Sequence, residues 1–228
     1  MSDRLRVLVC DDEPQILRAL RVILREAGFE VLPAANAQEA LDSAALKPPN
    51  AAIVDLVLPD GDGVEVCRAL RDWSDMPIVV LSAVGEEAEK VRALNAGADD
   101  YVTKPFGPSE LIARLNAALR RATPREGGEP VLVADGLELD LTAHEVRRDG
   151  EPIHLTPTEF ALLLFLMRNR GRLMTHAALL TEVWGPAYSS DTQTLRVHVA
   201  NLRRKIEPDS AAPRYITTDP GVGYRFTA

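Results

Sequence analysis

The sequence is poor in the features that define several large classes of protein. It has only two cysteines in 228 residues, Cys10 and Cys67, and they form no metal-binding or disulfide spacing. Cys10 ends an apolar run and Cys67 lies in a helical pattern, so we interpret both as inert, buried side chains. No apolar run approaches the roughly 20 residues of a membrane span, and no signal peptide is recognisable. These absences predict a soluble, cytoplasmic protein that does not contact a membrane.

The chain also lacks an excess of basic residues. Its formal net charge is −8 at pH 7, which argues against indiscriminate coating of nucleic acid. Any contact with DNA should therefore come from a local basic surface. Between residues 196 and 225 bases outnumber acids, and these bases are Arg196, Arg203, Arg204, Lys205, Arg214 and Arg225.

Length and periodicity predict two domains. In residues 1–122, short apolar runs typical of strands buried on both faces alternate with helical patterns. The predicted strands are Leu5–Cys10, Glu30–Pro33, Ala51–Asp55, Pro77–Leu81 and Asp100–Thr103. The predicted helices are Pro14–Ala27, Ala37–Ala45, Val64–Trp73, Glu86–Ala96 and Pro108–Arg121. Five such repeats predict an α/β domain with a doubly wound (βα)5 parallel sheet.

A second domain, residues 131–228, follows a segment that we interpret as a linker. The linker, residues 123–130 (TPREGGEP), has two prolines, two glycines and no apolar periodicity. Short antiparallel strands are predicted at Val131–Leu141 and Glu145–His154, with a hairpin turn at residues 148–151. Three helices and a final hairpin are predicted at Thr156–Asn169, Thr175–Val183, Asp191–Glu207, and Tyr215–Thr218 with Gly223–Thr227. This order predicts a winged helix-turn-helix.

Three carboxylates and one lysine lie at the carboxyl ends of predicted strands. They are Asp11, Asp12, Asp55 and Lys104. In an open parallel sheet these ends share one edge, and ligands bind in the crevice outside it. Carboxylates crowded there need a divalent cation, for which Mg²⁺ is the natural choice, and a lysine supplies a point charge for a phosphoryl group. The residues therefore predict a site at which an aspartate is phosphorylated.

Motifs along nearly the whole chain carry a family resemblance. The first domain contains CDDE (10–13), DLVLP (55–59), LSA (81–83) and GADDYVTKPF (97–106). The second contains LTPTEF (155–160), VWG (183–185), LRRK (202–205) and GYRF (223–226). In this order and at these distances, the motifs resemble those of two-component response regulators of the OmpR/PhoB family. The segment LPDGDG (58–63), with Trp73-Ser74, further resembles the Kdp-type regulators of potassium transport.

The resemblance implies a chemical role for each residue of the acidic edge. Asp55 would accept a phosphoryl group from a sensor histidine kinase. Mg²⁺ would be held by Asp12, Asp55 and the Val57 carbonyl, with Asp11 acting through water. Glu13 is interpreted instead as a charge at a helix N-terminus.

The resemblance also implies how phosphorylation is transmitted. Lys104 and Ser82 would contact phosphoryl oxygens, Tyr101 would be the switch residue, and Pro105 would follow a cis peptide bond. Family members then form a homodimer through a two-fold surface. The pairs expected across that surface are Lys90 with Glu110, Asp100 with Arg114, and Asp99 with Arg121.

The third helix of the second domain is the expected contact with promoter DNA. Its apolar stripe consists of Leu195, Val199, Leu202 and Ile206. The opposite face is polar and basic, with a width that a major groove accepts. Asn201 and Arg204 are predicted to contact base edges. Phosphate contacts are predicted for Arg196, His198, Arg203 and Lys205, and Gln193, Thr194 and Val197 complete this face.

The final hairpin is the expected wing. Relatives often carry an arginine before the glycine of the wing, but this chain has Pro220. Wing contacts are therefore predicted for Thr218 and Arg225, whereas Tyr224 is predicted to pack in the core. The loop Trp184–Ser190 corresponds to the element that faces RNA polymerase in relatives.

Three other classes of protein share some of these features. An aspartate-nucleophile phosphatase would need a second carboxylate two residues after the nucleophile, where this chain has Val57. A nucleotide-binding enzyme would need a Gly-rich loop after the first strand. A regulator that acts only through protein contacts, for example with RNA polymerase, stays open as the alternative to sequence-specific DNA binding.

Overall fold

The structure, a computed structural model, describes residues 4–83, 87–122 and 131–228. The chain divides into two units, Met1–Ala122 and Thr123–Ala228. The predicted linker, residues 123–130, lies outside the described residues. None of the helices in the described ranges is long and apolar enough to cross a membrane.

A parallel sheet forms the centre of the first unit. The strands of this unit are β1 (Arg6–Cys10), β2 (Glu30–Ala34), β3 (Ala51–Asp55), β4 (Val57–Leu58), β5 (Gly61–Asp62), β6 (Ile78–Ala83) and β7 (Asp100–Lys104). Five of them pair in the order β2-β1-β3-β6-β7, and β4 pairs with β5 in a short antiparallel ladder. Every residue of β3 is buried, as expected for a central strand that is covered on both faces.

Helices connect the strands of the sheet. They are α1 (Pro14–Glu26), α2 (Ala37–Leu46), α3 (Gly63–Arg71), α4 (Glu87–Asn95) and α5 (Pro108–Ala122). The side chain of Asn36 caps α2 and that of Asp62 caps α3, which satisfies amides that have no partner within the helix. The predicted (βα)5 α/β architecture is confirmed.

Both cysteines are buried and free. Burial disfavours the thiolate and raises the pKa of Cys10 and of Cys67 to about 12. The interpretation of both residues as inert core side chains is consistent with this burial.

The second unit combines two antiparallel sheets with three α-helices. Its strands are β8 (Val131–Ala134), β9 (Leu137–Asp140), β10 (Glu145–Arg148), β11 (Glu151–Ile153), β12 (Leu173–Thr175), β13 (Ile216–Asp219) and β14 (Gly223–Phe226). Its helices are α6 (Pro157–Arg168), α7 (His176–Val183) and α8 (Thr192–Ile206), with a 3-10 turn at Pro186–Tyr188. The sheets have the orders β11-β10-β9-β8 and β12-β14-β13. The predicted winged helix-turn-helix is confirmed.

Two details of the second unit differ from the prediction. The segment predicted as one strand, Val131–Leu141, is two strands joined by a tight turn at Asp135-Gly136. Both turn residues have positive φ, 49° and 85°, as a type I′ hairpin requires. The same Asp-Gly pair at 149–150 was recognised as a turn, so the signal at 135–136 was present but missed. Strand β12 was also missed because its three residues are too short to show alternation.

The helix α6 begins as predicted. The Thr156 side chain accepts a hydrogen bond from the Glu159 amide, and the Glu159 carboxylate accepts one from the Thr156 amide. This capping box fixes the first turn of a helix whose apolar residues enter the core of the unit. The predicted stripe on α8, from Leu195 to Ile206, is buried in the same core.

Candidate functional site

The parallel sheet brings the predicted acidic residues to one edge. Asp11 directly follows β1, and Asp55 ends the neighbouring strand β3. Lys104 ends β7, two strands away from β3 in the sheet. Its long side chain spans that separation, so residues that are distant in the sequence form one cluster.

Lys104 is the centre of this cluster. Its Nζ lies 2.6 Å from Asp55 Oδ2 and 2.8 Å from Asp11 Oδ2. A third carboxylate oxygen, Glu13 Oε1, lies at 3.2 Å. The Asp11 side chain is fully buried, and that of Asp55 is 10% exposed. A lysine charge is therefore shared among carboxylates in a place that water reaches poorly.

Glu13 contributes more than the sequence indicated. It was interpreted only as a charge at the start of α1, where it is indeed the N-cap residue. Its contact with Lys104 was missed, although its position directly after Asp11-Asp12 was an available signal.

Burial and ion pairing shift the pKa values of this cluster in a consistent way. Burial raises the pKa of Asp11, against the opposing effect of its hydrogen bond with Lys104. Burial would lower the pKa of Lys104, but the hydrogen bonds to Asp11 and Asp55 outweigh it and raise that pKa. Lys104 therefore stays protonated in the neutral range.

The donor set fits a hard divalent cation. Asp11, Asp12 and Asp55 each offer an oxygen, and these oxygens lie within 4.8 Å of one another. Asp12 is exposed and so provides access from solvent. The amide of Val57 donates to Asp55 Oδ1 at 3.3 Å, which orients the central carboxylate. Carboxylate oxygens at this spacing are suitable ligands for Mg²⁺.

Ser82 provides a second observation that points to a ligand. Its Oγ is buried and has no hydrogen-bond partner among the described residues. A buried hydroxyl without a partner is costly. Ser82 lies near the carboxyl end of β6, between the strands that carry Asp55 and Lys104, where an added acceptor oxygen would satisfy it.

Gly63 packs directly against the backbone of Asp55. A Cβ on Gly63 would lie 1.9 Å from the Asp55 carbonyl oxygen, so no side chain fits there. The Gly63 amide also donates to the Leu56 carbonyl. This close approach couples the start of α3 to the strand end that carries Asp55. Gly63 belongs to the segment LPDGDG (58–63), whose resemblance to other regulators did not reveal this contact.

The expected switch residue, Tyr101, lies in β7, and the expected cis proline, Pro105, directly follows that strand. The Lys104–Pro105 peptide bond is cis, as expected. Tyr101 is partly buried in β7, with Lys90 Nζ 4.6 Å and the Arg114 guanidinium 5.8 Å from its ring centroid. The ring of Tyr101 therefore lies near two cations, one on α4 and one on α5.

The charged residues expected at a dimer surface have partners within the chain. Asp100 is buried and pairs with Arg114 at 3.2 Å, and Arg114 also pairs with Glu110 at 2.9 Å. The prediction for Asp99 needs correction. Its carboxylate is fully buried, 2.8 Å from Arg71, and accepts the Ile78 amide. A buried carboxylate with two internal partners is not available at the surface.

Arg121, the partner expected for Asp99 across the dimer, is also buried, with 7% of its surface exposed. The pair Asp99–Arg121 is therefore not presented to a second subunit in this structure.

The predicted DNA-contacting face of α8 is narrower than expected. Gln193, Arg196, Ala200 and Arg204 are exposed, at helical spacing along one side. Four other residues predicted on this face do not lie on the surface: Thr194, Val197, His198 and Asn201 are all buried.

Neighbouring side chains account for much of this burial. The His198 ring lies 5.2 Å from the Trp184 ring, and Thr194 donates its hydroxyl to the N-cap residue Asp191. The Arg204 guanidinium donates to Asn201 Oδ1. A helical wheel could not reveal these contacts, because it does not show which elements pack beside the helix.

Two predicted phosphate contacts have partners inside the unit. Lys205 Nζ lies 2.6 Å from Glu159 Oε2, next to the capping box of α6. Arg203 donates to the Ile216 carbonyl and to Thr218 Oγ1 of β13. Both side chains are therefore only partly exposed, and both charged groups bind atoms of the same unit.

The wing is the hairpin of β13 and β14. Thr218 is exposed, and Arg225 donates to the Gly171 carbonyl at 2.7 Å. Tyr224 is buried, as predicted, with the Arg203 guanidinium 5.6 Å from its ring centroid.

Comparison with known proteins agrees with both halves of this description. Residues 7–116 match the response regulator receiver domain, and residues 150–226 match the C-terminal domain of transcriptional regulatory proteins. The transcriptional regulatory protein KdpE of Mycobacterium tuberculosis (strain H37Rv) is 52% identical, over 97% of this chain and 99% of the relative. The KDP operon transcriptional regulatory protein KdpE of Escherichia coli K12 is 46% identical, over 96% and 98%.

Solved structures show the same architecture. DrrB of Thermotoga maritima, an OmpR/PhoB homologue, is 32% identical with a TM-score of 0.54, and the alignment covers 99% of this chain and 100% of DrrB. A mutant of RitR superposes with a TM-score of 0.79 at 25% identity, covering 98% of this chain and 99% of RitR. The chain therefore belongs to the OmpR/PhoB family of two-component response regulators, with a receiver domain and a DNA-binding domain that serve transcription regulation.

Proposed function

We propose that Asp55 is the phosphoacceptor of this response regulator. The observation that carries the proposal is the meeting of Asp55, two further aspartates and Lys104 at one sheet edge, beside the unpartnered hydroxyl of Ser82. A carboxylate oxygen of Asp55 attacks the phosphorus of a phosphohistidine on a sensor kinase. The O–P bond forms, the P–N bond breaks, and the histidine nitrogen keeps the electron pair.

The surrounding residues have separate roles in this reaction. Asp11, Asp12 and Asp55, with the Val57 carbonyl, would hold Mg²⁺, which neutralises charge on the transferred group when it is bound. Lys104 exchanges one of its carboxylate contacts for a phosphoryl oxygen. Ser82 donates its hydroxyl to another phosphoryl oxygen. The site holds the phosphoryl group with at most slow self-dephosphorylation.

Labelling of the full-length protein tests this proposal. Wild-type protein and Asp55→Asn are incubated with a phosphorylated sensor kinase and with acetyl phosphate, and phosphoprotein is quantified. We expect label on the wild type and none above background on Asp55→Asn. Asp42→Asn is the matched control, because Asp42 is an exposed aspartate on α2 and should label normally. Undiminished label on Asp55→Asn would disprove the assignment.

The proposed output is binding of promoter DNA by a homodimer. The receiver domain, proposed as residues 1–122, would pair through α4, β7 and α5, and Tyr101 would report the state of Asp55 to that surface. Residues 131–228 would bind DNA, with Gln193, Arg196, Ala200 and Arg204 in the major groove and Thr218 and Arg225 at the wing. The loop Trp184–Ser190 is the proposed contact with RNA polymerase.

The proposed target is a potassium-transport operon. This proposal rests on the KdpE relatives, one of which is named for the KDP operon. A mobility-shift assay at two salt concentrations, with a potassium-transport promoter and with a random duplex pool, tests it. Selective retention of the promoter supports the proposal. Equal retention of all duplexes would favour the alternative, a regulator that acts mainly through RNA polymerase.

A further inference from the structure

The carboxyl end of α8 is joined to the wing by a partly buried arginine. Arg203 Nε lies 2.9 Å and Nη2 2.5 Å from the Ile216 carbonyl oxygen. Nη2 also donates to Thr218 Oγ1 at 2.8 Å. The guanidinium packs over the Tyr224 ring of the paired strand. Arg203 therefore uses its donors on the hairpin, in the fork geometry that lysine cannot reproduce.

A buried carboxylate, that of Glu207, also binds the start of this strand. Glu207 follows the last residue of α8 and is only 4% exposed. It accepts hydrogen bonds from three successive amides, of Arg214 at 2.7 Å, Tyr215 at 3.0 Å and Ile216 at 2.8 Å. Charge-assisted bonds of this kind are stronger than neutral ones.

The two side chains form hydrogen bonds with both backbone groups of one residue, Ile216. Glu207 accepts its N–H, and Arg203 donates to its carbonyl. The end of α8 is itself fixed, because Arg148 Nη1 of β10 donates to the carbonyls of Ile206 and Glu207, both at 3.1 Å. The hairpin therefore starts from a strand whose position relative to α8 is set by buried and partly buried hydrogen bonds.

We propose that Arg203 and Glu207 are positioning residues for DNA binding, which set the angle between α8 and the wing and do not touch DNA. This inference rests on the proposed function, in which α8 and the wing bind one duplex. A wing that is already held at the correct angle loses little conformational freedom when DNA binds. Its affinity for DNA is therefore higher than that of a mobile wing, without any new contact. The inference also replaces the sequence-based prediction that Arg203 contacts a phosphate.

Footprinting of the full-length protein separates positioning from direct contact. The probe is the duplex that the wild-type protein selects from a random pool. Methylation protection reports guanines in the major groove, and hydroxyl-radical cleavage reports the backbone on the wing side. The variants are Arg203→Gln, Arg203→Lys and Glu207→Gln, with Arg196→Gln as the control for an exposed arginine on α8. The footprinting temperature is one at which circular dichroism shows that every variant is folded.

For Arg203→Gln and Glu207→Gln we expect about a tenfold loss of affinity. Protection on the wing side should be lost while major-groove protection remains. The slope of log affinity against log salt should not change, whereas Arg196→Gln should reduce it by about 0.9. Arg203→Lys should recover part of the wing protection, because one ammonium group can serve only some of the acceptors.

Three results would overturn the inference. The first is a salt slope for Arg203→Gln that falls as it does for Arg196→Gln, which makes Arg203 a phosphate contact. The second is uniform weakening of both footprints in the folded Glu207→Gln protein, and the third is wild-type footprints and affinity in both variants. If the wild type selects no sequence from the pool, the proposed function fails, and this result is distinct from the other three.

Discussion

At the scale of single residues, Lys104 has the largest effect on the acidic edge. Its single positive charge pairs with both Asp11 and Asp55, which are buried side by side, and only 19% of its own side chain is exposed. Removing one member of a buried ion pair leaves the partners uncompensated, which costs more than the pair itself contributes.

Replacing this lysine should therefore destabilise the first unit. We expect Lys104→Gln to lower the free energy of unfolding by about 1–3 kcal/mol without metal. Added Mg²⁺ should reduce the difference, because a cation between the carboxylates restores the lost charge. Urea denaturation of the full chain, with and without Mg²⁺, measures both effects.

An exposed lysine provides the matched control. Lys47 pairs with Glu30 on the surface of the same unit, and Lys47→Gln should leave stability nearly unchanged with or without the metal. A Lys104→Gln protein as stable as the wild type in the absence of Mg²⁺ would contradict the account of the cluster.

At the scale of elements, a buried ion pair holds α3 to the loop before β7. Arg71, at the end of α3, donates to Asp99 Oδ2 at 2.8 Å and to the Gly97 and Met76 carbonyls. Its side chain is 9% exposed and that of Asp99 is fully buried. This arrangement explains why Asp99 is not part of the charged surface that the family resemblance led us to expect.

We expect Arg71→Met to lower the free energy of unfolding by about 3–5 kcal/mol, since Asp99 would lose its cation in the interior. Arg68→Met is the control on the same helix, because Arg68 forms an exposed pair with Glu65. Chemical denaturation should show little change for it. Similar destabilisation by the two variants would mean that the helix, and not the buried pair, is sensitive to the loss of arginine.

The contact between α3 and β3 leads to a second prediction at this scale. Gly63→Ala places a Cβ against the Asp55 backbone, so the start of α3 or the strand end must move. We expect a loss of stability of about 2 kcal/mol or more and a lower yield of phosphorylated protein. Gly107→Ala has open space around its Cβ and should label like the wild type. Normal labelling and stability of Gly63→Ala would show that the contact does not constrain Asp55.

At the scale of the whole molecule, the proposed dimer surface would be built from residues that also have partners in the same chain. Lys90 lies over the Tyr101 ring, and Glu110 binds Arg114. A cross-subunit pair between Lys90 and Glu110 would occur twice about a two-fold axis. The contribution of this pair to the free energy of dimerisation would therefore be twice that of a single surface pair.

Charge exchange tests this pair. We expect phosphorylation to raise the dimer fraction of the wild type, and Lys90→Glu to reduce it because like charges then face each other twice. The double variant Lys90→Glu with Glu110→Lys should recover the dimer. Sedimentation velocity of phosphorylated protein measures each state. Absence of recovery, or equal assembly with and without phosphate, would count against this surface.

The sequence alone predicted much of the architecture, because the relevant signals are local. Short apolar runs and helical patterns predicted the (βα)5 repeats, and helical patterns predicted the three helices of the second unit. The Thr156–Glu159 spacing is that of a capping box, which is present at the start of α6. The acidic edge could be predicted because strand ends of a parallel sheet share one side. The turn at Asp135-Gly136 was equally local and was simply missed.

The tertiary structure alone decided which polar side chains face inward. A helical wheel gives directions around one axis but not the neighbours that lie there. Asp99 is therefore paired with Arg71, His198 lies against Trp184, and Arg203 binds the Ile216 carbonyl. Each contact joins residues far apart in the sequence, and a buried polar group takes whichever partner packing brings within reach.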